Sequence, residues 1–341
     1  MTHFCKCDIK SFKKVSPRAE PVRAQLINVI SRKKTQILSV IITVSSLIFL
    51  IPWLGQGADY LHITDSGFVG LPISVRAMGM GGTFVAIADD YGACHFNPAG
   101  LVQIGQRQLG TMYADLYGLG LLHHYFLSFV EPTTGMGAGG ISWSRLSADL
   151  EPEKWNYDLI FYSYGQFLSP TKLSPKEVFS SWGVNIKYLK QTTTWEEGSG
   201  YGLDAAFFTG RRKFSWGAKV ENLISQVKWG TQRKESIPLT VKLGTVYRFS
   251  SRGLLALDIG VCREDFPREI HLGSEWRPMQ GIGIRLGIVK IFQKFADFQI
   301  TAGLGFRIPA EKKIGSIEFD YAFSYNRDLR NTHHFSLSYS F

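Results

Sequence analysis

From residue 106 onward the chain is a succession of segments of about ten residues in which bulky apolar side chains occupy every second position, with turn-forming breaks between them. Successive side chains of an extended strand point to opposite faces, so each segment carries one greasy face and one polar face. In the last segment Phe335, Leu337, Tyr339 and Phe341 share one side, and His334, Ser336, Ser338 and Ser340 share the other. Val241, Leu243, Thr245, Tyr247 and Phe249 oppose Lys242, Gly244, Val246 and Arg248 in the same way. About fourteen such segments are found, at 106–117, 121–130, 136–147, 157–167, 181–192, 200–210, 213–221, 239–249, 253–262, 268–277, 281–289, 297–308, 314–325 and 332–341. An even number of amphipathic strands ending on an aromatic residue predicts an all-β fold: a transmembrane antiparallel β-barrel of about 14 strands, whose last strand pairs with its first.

Composition agrees with this reading. The chain has 341 residues with Gly 35, Trp 8, Tyr 14 and Phe 24, and a mean hydropathy of -0.02 is far too low for a helical membrane bundle. The net charge of +10 suggests nucleic acid until it is located. Residues 1–34 hold nine Lys or Arg against Asp8 and Glu20, so +7 lies in that extension and only +3 in the rest, which removes the nucleic-acid reading. Arg32-Lys33-Lys34 followed by the apolar run 37–54 and the small residues Gly55 to Ala58 has the order of a secretory signal peptide cleaved near Gly57 or Ala58. Residues 1–58 are therefore expected to be a basic extension and signal peptide that is removed, and 104–341 the barrel. Cys5 and Cys7 precede that cleavage, and a bridge between Cys94 and Cys262 is not expected.

Residues 59–103 are neither strand-like nor strongly helical. Arg76, Gly79, Gly81 and Gly82 lead to Asp89-Asp90, with a short helix expected over 83–90, and then to Asn97-Pro98 and Gly100, which is turn chemistry. At this spacing Arg76 to Gly82, the Asp89-Asp90 pair and Asn97 to Leu101 resemble the N-terminal signature of FadL-like outer-membrane proteins, in which the segment forms a hatch or plug inside the barrel. Further on, Trp182 to Lys190, Trp195 to Gly200, Val220 to Leu223, Ile237 to Leu239, Glu269 to Glu275 and Asn331 to Leu337 resemble the PorV/PorQ branch of those barrels. The leader and the segment 263–267 depart from that pattern.

The resemblance implies two tasks. The PorV/PorQ likeness implies protein export and surface attachment, as a shuttle or scaffold of a type IX-like secretion system, with exported proteins as partners. The wider FadL-like likeness implies passive transport of hydrophobic small molecules across the outer membrane, the ligand entering from outside and leaving sideways or past the hatch. A structural barrel with neither activity is the third reading. Outer-membrane lipid and the barrel-assembly machinery, which reads a terminal signal such as Phe335, Leu337, Tyr339 and Phe341, are implied partners in every case.

With strand one rising, the periplasmic turns are 131–135, 168–180, 210–212, 250–252, 278–280 and 309–313, and the outer loops include 148–156, 193–199, 222–238, 263–267, 290–296 and 326–331. Trp195, Glu196, Glu197 and Trp229 in these outer loops are the candidate partner contacts. Asp89 and Asp90 are expected to bond lumen arginines such as Arg248, Arg285 or Arg307. His123-His124 and His333-His334 do not make a metal site, because neighbours on a strand face opposite ways. Gly79 to Gly82 lacks the third glycine of a dinucleotide fingerprint, and no nucleophile elbow or phosphate loop occurs, so no cofactor, catalytic residue or metal ligand is assigned.

Overall fold

The computed structural model describes residues 73–132, 135, 137–150, 152–168, 178–210, 213–262, 268–292, 297–308, 315–326 and 330–341. The expected leader at 1–58 and the stretch 59–72 lie outside the described residues. Fourteen long strands form one antiparallel sheet closed on itself, and a fifteenth strand of two residues leans on its edge. In chain order they are β1 (Gln108–Asp115), β2 (Leu122–Glu131), β3 (Gly137–Leu150), β4 (Glu153–Phe167), β5 (Phe179–Thr193), β6 (Glu197–Gly210), β7 (Phe214–Trp229), the short β8 (Lys234–Glu235), β9 (Thr240–Ser250), β10 (Gly253–Cys262), β11 (Arg268–Met279), β12 (Ile282–Phe292), β13 (Asp297–Ile308), β14 (Ser316–Asn326) and β15 (Arg330–Ser340). Each long strand pairs with its sequence neighbour, β7 pairs with β9, and β1 pairs with β15 over Gln108↔Ser340 to Asp115↔His333. Backbone bonds between Arg107 and Phe341 in both directions extend that seam by one residue. Every long strand thus has two neighbours, and the ring of long strands has no open edge to pair with another chain.

The period-2 pattern sets which way each side chain points. On β15 Phe335 and Leu337 are exposed while His334 and Ser336 are buried. The same alternation puts Leu286 and Ile288 outside on β12, with Arg285 and Gly287 inside. Cross-strand aromatic pairs stiffen the outer surface, among them Phe214 with Tyr247 (4.9 Å between ring centroids) and Tyr321 with Phe335 (5.3 Å), and Tyr339 stacks on Phe341 along its own strand (5.1 Å). His123 and His333 lie outside against Tyr113 and Tyr321, whereas His124 and His334 lie inside against Ser144 and Ser324. Among the described residues no three His, Cys, Asp or Glu side chains gather as metal ligands would, and Cys94 and Cys262 are free thiols.

Three expected outer loops are corrected. Within 148–156, β3 and β4 continue to the pair Leu150↔Glu153, with Lys154 and Asp149 bridged at 2.8 Å. The charged residues that read as loop belong to a hairpin wetted on both faces, where apolar alternation is not required. Of 193–199 only 194–196 is turn. In 222–238, β7 runs on to Trp229 because the break suggested by Asn222 is a bulge: Glu221, Asn222 and Leu223 lie opposite Asp204 alone, and Asn222 has φ 59°. Two extra residues leave the alternation in phase, so Val227 and Trp229 still point inward.

Leu286 lies at the middle of β12 and is 59% exposed. Leu286→Arg is expected to cost roughly 2–4 kcal/mol in a bilayer, read by urea unfolding of the heat-modifiable gel band in liposomes. Removing Phe341 deletes the last seam bonds and the terminal aromatic, and should lower the amount of barrel inserted in cells while leaving the urea midpoint of what does insert nearly unchanged.

Candidate functional site

The segment 73–104 lies inside the ring of strands and touches most of them. Its elements are short: helix α1 (Val75–Gly79) capped by Ser74, helix α2 (Ala93–Phe96), and a 3-10 turn over Pro98–Gln103 whose cap is Asn97 accepting from Ala99 N at 3.0 Å. The helix expected over 83–90 is a turn instead. Its backbone amides are needed by the wall, since Phe84 N and Val85 N both donate to Asp258 Oδ2 at 2.8 and 2.9 Å.

Nearly every strand presents a small residue at the level of this segment. A Cβ on Gly165 would overlap the Pro98 carbonyl, one on Gly183 the Ala99 amide, and one on Gly217 the Val85 carbonyl. A Cβ on Gly273 would strike Thr83 and Met80, and one on Gly287 the amide of Gly81. Gly303 meets Gly79 itself, where a Cβ would come within 2.9 Å of the opposing Cα. Gly110 and Gly140 make room for the Tyr91 ring and the Cys94 sulfur, and Gly100 packs on Ala88 within the segment. Side chains of the wall then satisfy the segment's backbone: Thr301 Oγ1 accepts from Gly81 N at 2.9 Å, Ser128 donates to Tyr91 O at 3.1 Å and Ser181 to Ala99 O at 2.6 Å, while Asn185 reaches Cys94 O at 2.9 Å. Asn97 Nδ2 joins Val85 O at 2.8 Å to Phe207 O at 3.1 Å. A segment without regular structure can be buried because these bonds replace water.

Two charged clusters flank the segment. Toward the end that carries the C-terminus, Arg76 grips Glu275 of β11 through Nε (2.7 Å) and Nη2 (3.2 Å) and turns Nη1 to Asp89 (2.5 Å) and Asp90 (3.1 Å). Glu275 also accepts from Arg277 at 2.9 Å and Arg285 at 3.0 Å, and Arg285 continues to Asp320 at 2.5 Å. The expected partners of Asp89 and Asp90 are corrected by this arrangement. Arg76, inside the same segment, takes both carboxylates, and Arg285 and Arg307 are held instead by Glu275 and Asp320 and by Glu318. Burial pushes the Asp90 carboxyl up to about 6, with Arg76 opposing the rise. Burial and neighbouring Lys219 hold the His95 imidazole well below its ordinary value, so this ring is neutral. Gly82 stands beside the ring of His271, whose Nδ1 bonds Gly81 O at 2.5 Å.

On the far side, Lys187 and Lys219 bracket Asp204 at 2.6 and 3.4 Å, and Lys219 also meets Glu221 at 2.8 Å. Lys242 spans Glu221 and Glu269 at 3.6 and 3.9 Å, and Lys219 donates to the His95 carbonyl. This cluster occupies the β5 to β11 arc. On the β1 to β5 arc at the same end Leu116, Leu146 and Tyr157 form one inward apolar cluster, beside His124, Ser144 and Gln191, and Leu159, Phe161 and Leu189 continue into another that includes Val227, Trp229 and Ile237. Trp229, expected as an outer-loop contact, is only 4% exposed because the chain after β7 folds back over the lumen and lays Ile237 beside it. Trp195 is 79% exposed at the β5–β6 tip, Glu197 is exposed at the start of β6, and Glu196 is tied to Thr231 N at 3.0 Å.

The wall glycines and Glu275 were not singled out from sequence, yet a Gly, Ala or Ser at one inward position in most strands is a readable signal. Glu275→Ala would leave Arg76, Arg277 and Arg285 competing for too few carboxylates, and is expected to destabilise the barrel by roughly 3–5 kcal/mol. The check is urea titration against Glu269→Ala, a variant at the more hydrated far cluster that should cost less.

Sequence comparison finds no matching family model and no matching curated protein. In three dimensions the chain is similar to a FadL homologue of Pseudomonas aeruginosa, with TM-score 0.57, 13% identity, and 80% of this chain and 98% of that one covered. It is also similar to CymD, a monoaromatic hydrocarbon channel, with TM-score 0.56, 11% identity, and 79% and 96% covered. A third likeness is to the Pseudomonas putida toluene transporter TodX, with TM-score 0.50, 12% identity, and 77% and 96% covered. At these identities the likeness is one of architecture: the chain has the fold of the FadL-like outer-membrane channels.

Proposed function

We propose that this protein is an outer-membrane channel for small hydrophobic molecules, with residues 59–103 acting as its hatch. The observation that carries the reading is the apolar arc inside the barrel. A lumen that passes water and ions is lined by polar side chains, and here Leu146, Tyr157, Leu159, Phe161 and Leu189 project inward from β3, β4 and β5. These side chains are buried, so an ion beside them would lose its hydration with nothing to replace it, whereas a nonpolar guest would not.

The bulge on β7 supports a sideways exit. Ladder pairing between β7 and β9 stops at Glu221↔Thr240. Beyond it side chains bridge the chain to β7, with Asn222 Nδ2 donating to Pro238 O at 3.1 Å and Ser225 Oγ exchanging bonds with Ile237 N and O at 2.9 Å, until β7 pairs with the two-residue β8. Leu223 and Ile224 face outward there, 44% and 59% exposed. A molecule leaving here passes beside Lys187 and Asp204, which hold Asn222, and meets a stretch of wall without β7–β9 ladder bonds. The solved channels of like fold, two of which carry aromatic hydrocarbons in their names, support the same class of cargo.

The second reading, a barrel for protein export and surface attachment of the PorV/PorQ kind, has one observation in its favour. Trp195 stands free at a hairpin tip beside Glu197, a placement that suits contact with a protein partner. The burial of Trp229 takes away the other aromatic on which that surface was expected to rest.

A strain lacking the gene should lose uptake of labelled toluene while its surface proteome is unchanged; the opposite pattern refutes the channel and favours export. Restoring the gene as Leu189→Asp, with normal barrel levels on unheated gels, should leave uptake roughly tenfold lower, a change of about 1.4 kcal/mol in the barrier.

A further inference from the structure

At the barrel mouth on the side of the C-terminus, the turns β9–β10 and β11–β12 and the adjoining ends of β13 and β14 line a cavity of about 340 Å³, open to solvent. Arg252, Arg277 and Arg307 line it, with Glu318 as the one acidic side chain on the wall among the described residues. Met279 and Ile282 make the apolar part of the lining, and Met279 is 63% exposed. Gly283 and Gly305 supply the back, where a Cβ on Gly305 would come within 2.8 Å of Arg285 Nη2, so the absence of side chains brings a further guanidinium close to the cavity.

The arginines retain donors for a guest. Arg307 spends Nε and Nη2 on Glu318, Arg277 spends Nε on Glu275, and Arg252 Nη1 donates to Pro278 O at 3.0 Å. A guanidinium has five N–H donors, so each keeps some unspent in these bonds. Glu275, behind the wall, is already shared among Arg76, Arg277 and Arg285. Among the described residues, three cations facing one carboxylate give the lining an excess of two positive charges. None of the steps proposed for a neutral hydrophobic cargo uses these residues.

We propose that this mouth cavity is a binding site for a small organic anion, with a carboxylate or another oxyanion held by Arg252, Arg277 and Arg307 and a short apolar substituent resting on Met279 and Ile282. Planar guanidinium groups match an oxyanion by paired hydrogen bonds, and the cavity volume is at the small end of the range for ligand pockets. Its size admits a ring or a short chain and excludes a folded partner. The site is independent of the channel reading, because it lies on the opposite side of the hatch from the apolar arc.

The test is calorimetric titration of the full barrel, folded in a neutral detergent, with benzoate, benzyl alcohol, inorganic phosphate and a hexaglutamate peptide. Benzoate should bind saturably at one site, more weakly as salt is raised, and Arg252→Gln should weaken it roughly tenfold or more with unchanged heat-modifiable migration. Ile282→Ser, which keeps every arginine, should weaken benzoate while leaving phosphate unaffected. Equal binding of benzyl alcohol would mean apolar partition and overturn the proposal. So would phosphate binding as tightly as benzoate, hexaglutamate binding through Arg252 in place of benzoate, or no saturable benzoate binding at millimolar concentration.

Discussion

A sheet of fourteen strands closed into a cylinder encloses more space than its own inward side chains can fill, and an eight-stranded barrel is about the size that fills itself. The wider ring needs a filling, and here the filling is the segment 73–104, whose buried side chains Ile73, Phe84, Ile87 and Leu101 form cores against the wall. What limits the fit is the wall's own Cβ atoms. Strands such as β4, β5, β7, β11, β12 and β13 drop to glycine where the segment's backbone passes, and Gly303 packs against Gly79 with hydrogen atoms on both sides. The close approach lets Ser, Thr, Asn and Asp of neighbouring positions bond an irregular backbone that has no ladder of its own.

Arg76 makes that fit specific. Burying one guanidinium is costly unless its donors are all met, and Arg76 meets Asp89 and Asp90 in its own segment and Glu275 in the wall. Because Glu275 is held in turn by Arg277 and Arg285, its carboxylate is oriented from the wall side, and the position of α1 is tied to that orientation through Arg76. The charges therefore fix position, while apolar contact and the small-residue belt supply the adhesion.

The barrel was legible because a membrane imposes period 2 on the lipid face, and that pattern is strong in β9, β13, β14 and β15. It fades where the solvent on both sides is water, which is why the tips of β3 and β4 read as loop. The bulge at Asn222 read as a break for a related reason: a positive φ at an Asn after a Glu resembles a turn, and only the resumption of alternation at Val227 and Trp229 shows the strand continuing. The pairing of Asp89 and Asp90 with Arg76 was hidden for want of a local pattern. It depends on a chain reversal between residues 79 and 89 that bulky wall residues would forbid, and the wall's permission is written in glycines on distant strands.

The division of the lumen follows from the same economy of space. On the β5 to β11 arc Lys187, Lys219 and Lys242 alternate with Asp204, Glu221 and Glu269, and a chain of ion pairs of this kind is stable only if no member loses its neighbour. A guest inserted there would have to break several pairs at once. On the opposite arc Leu146, Leu159, Phe161 and Leu189 hold no polar bond that a guest must break, and Trp229 at the end of β7 and Ile237 on the segment that folds back after it pack over that arc. The cover hangs from the bulge at Asn222, where side chains alone bridge to Ile237 and Pro238. Lifting Ile237 would therefore uncover these apolar side chains and loosen the adjoining wall in one movement, against the Asn222 and Ser225 bonds and the β7–β8 ladder.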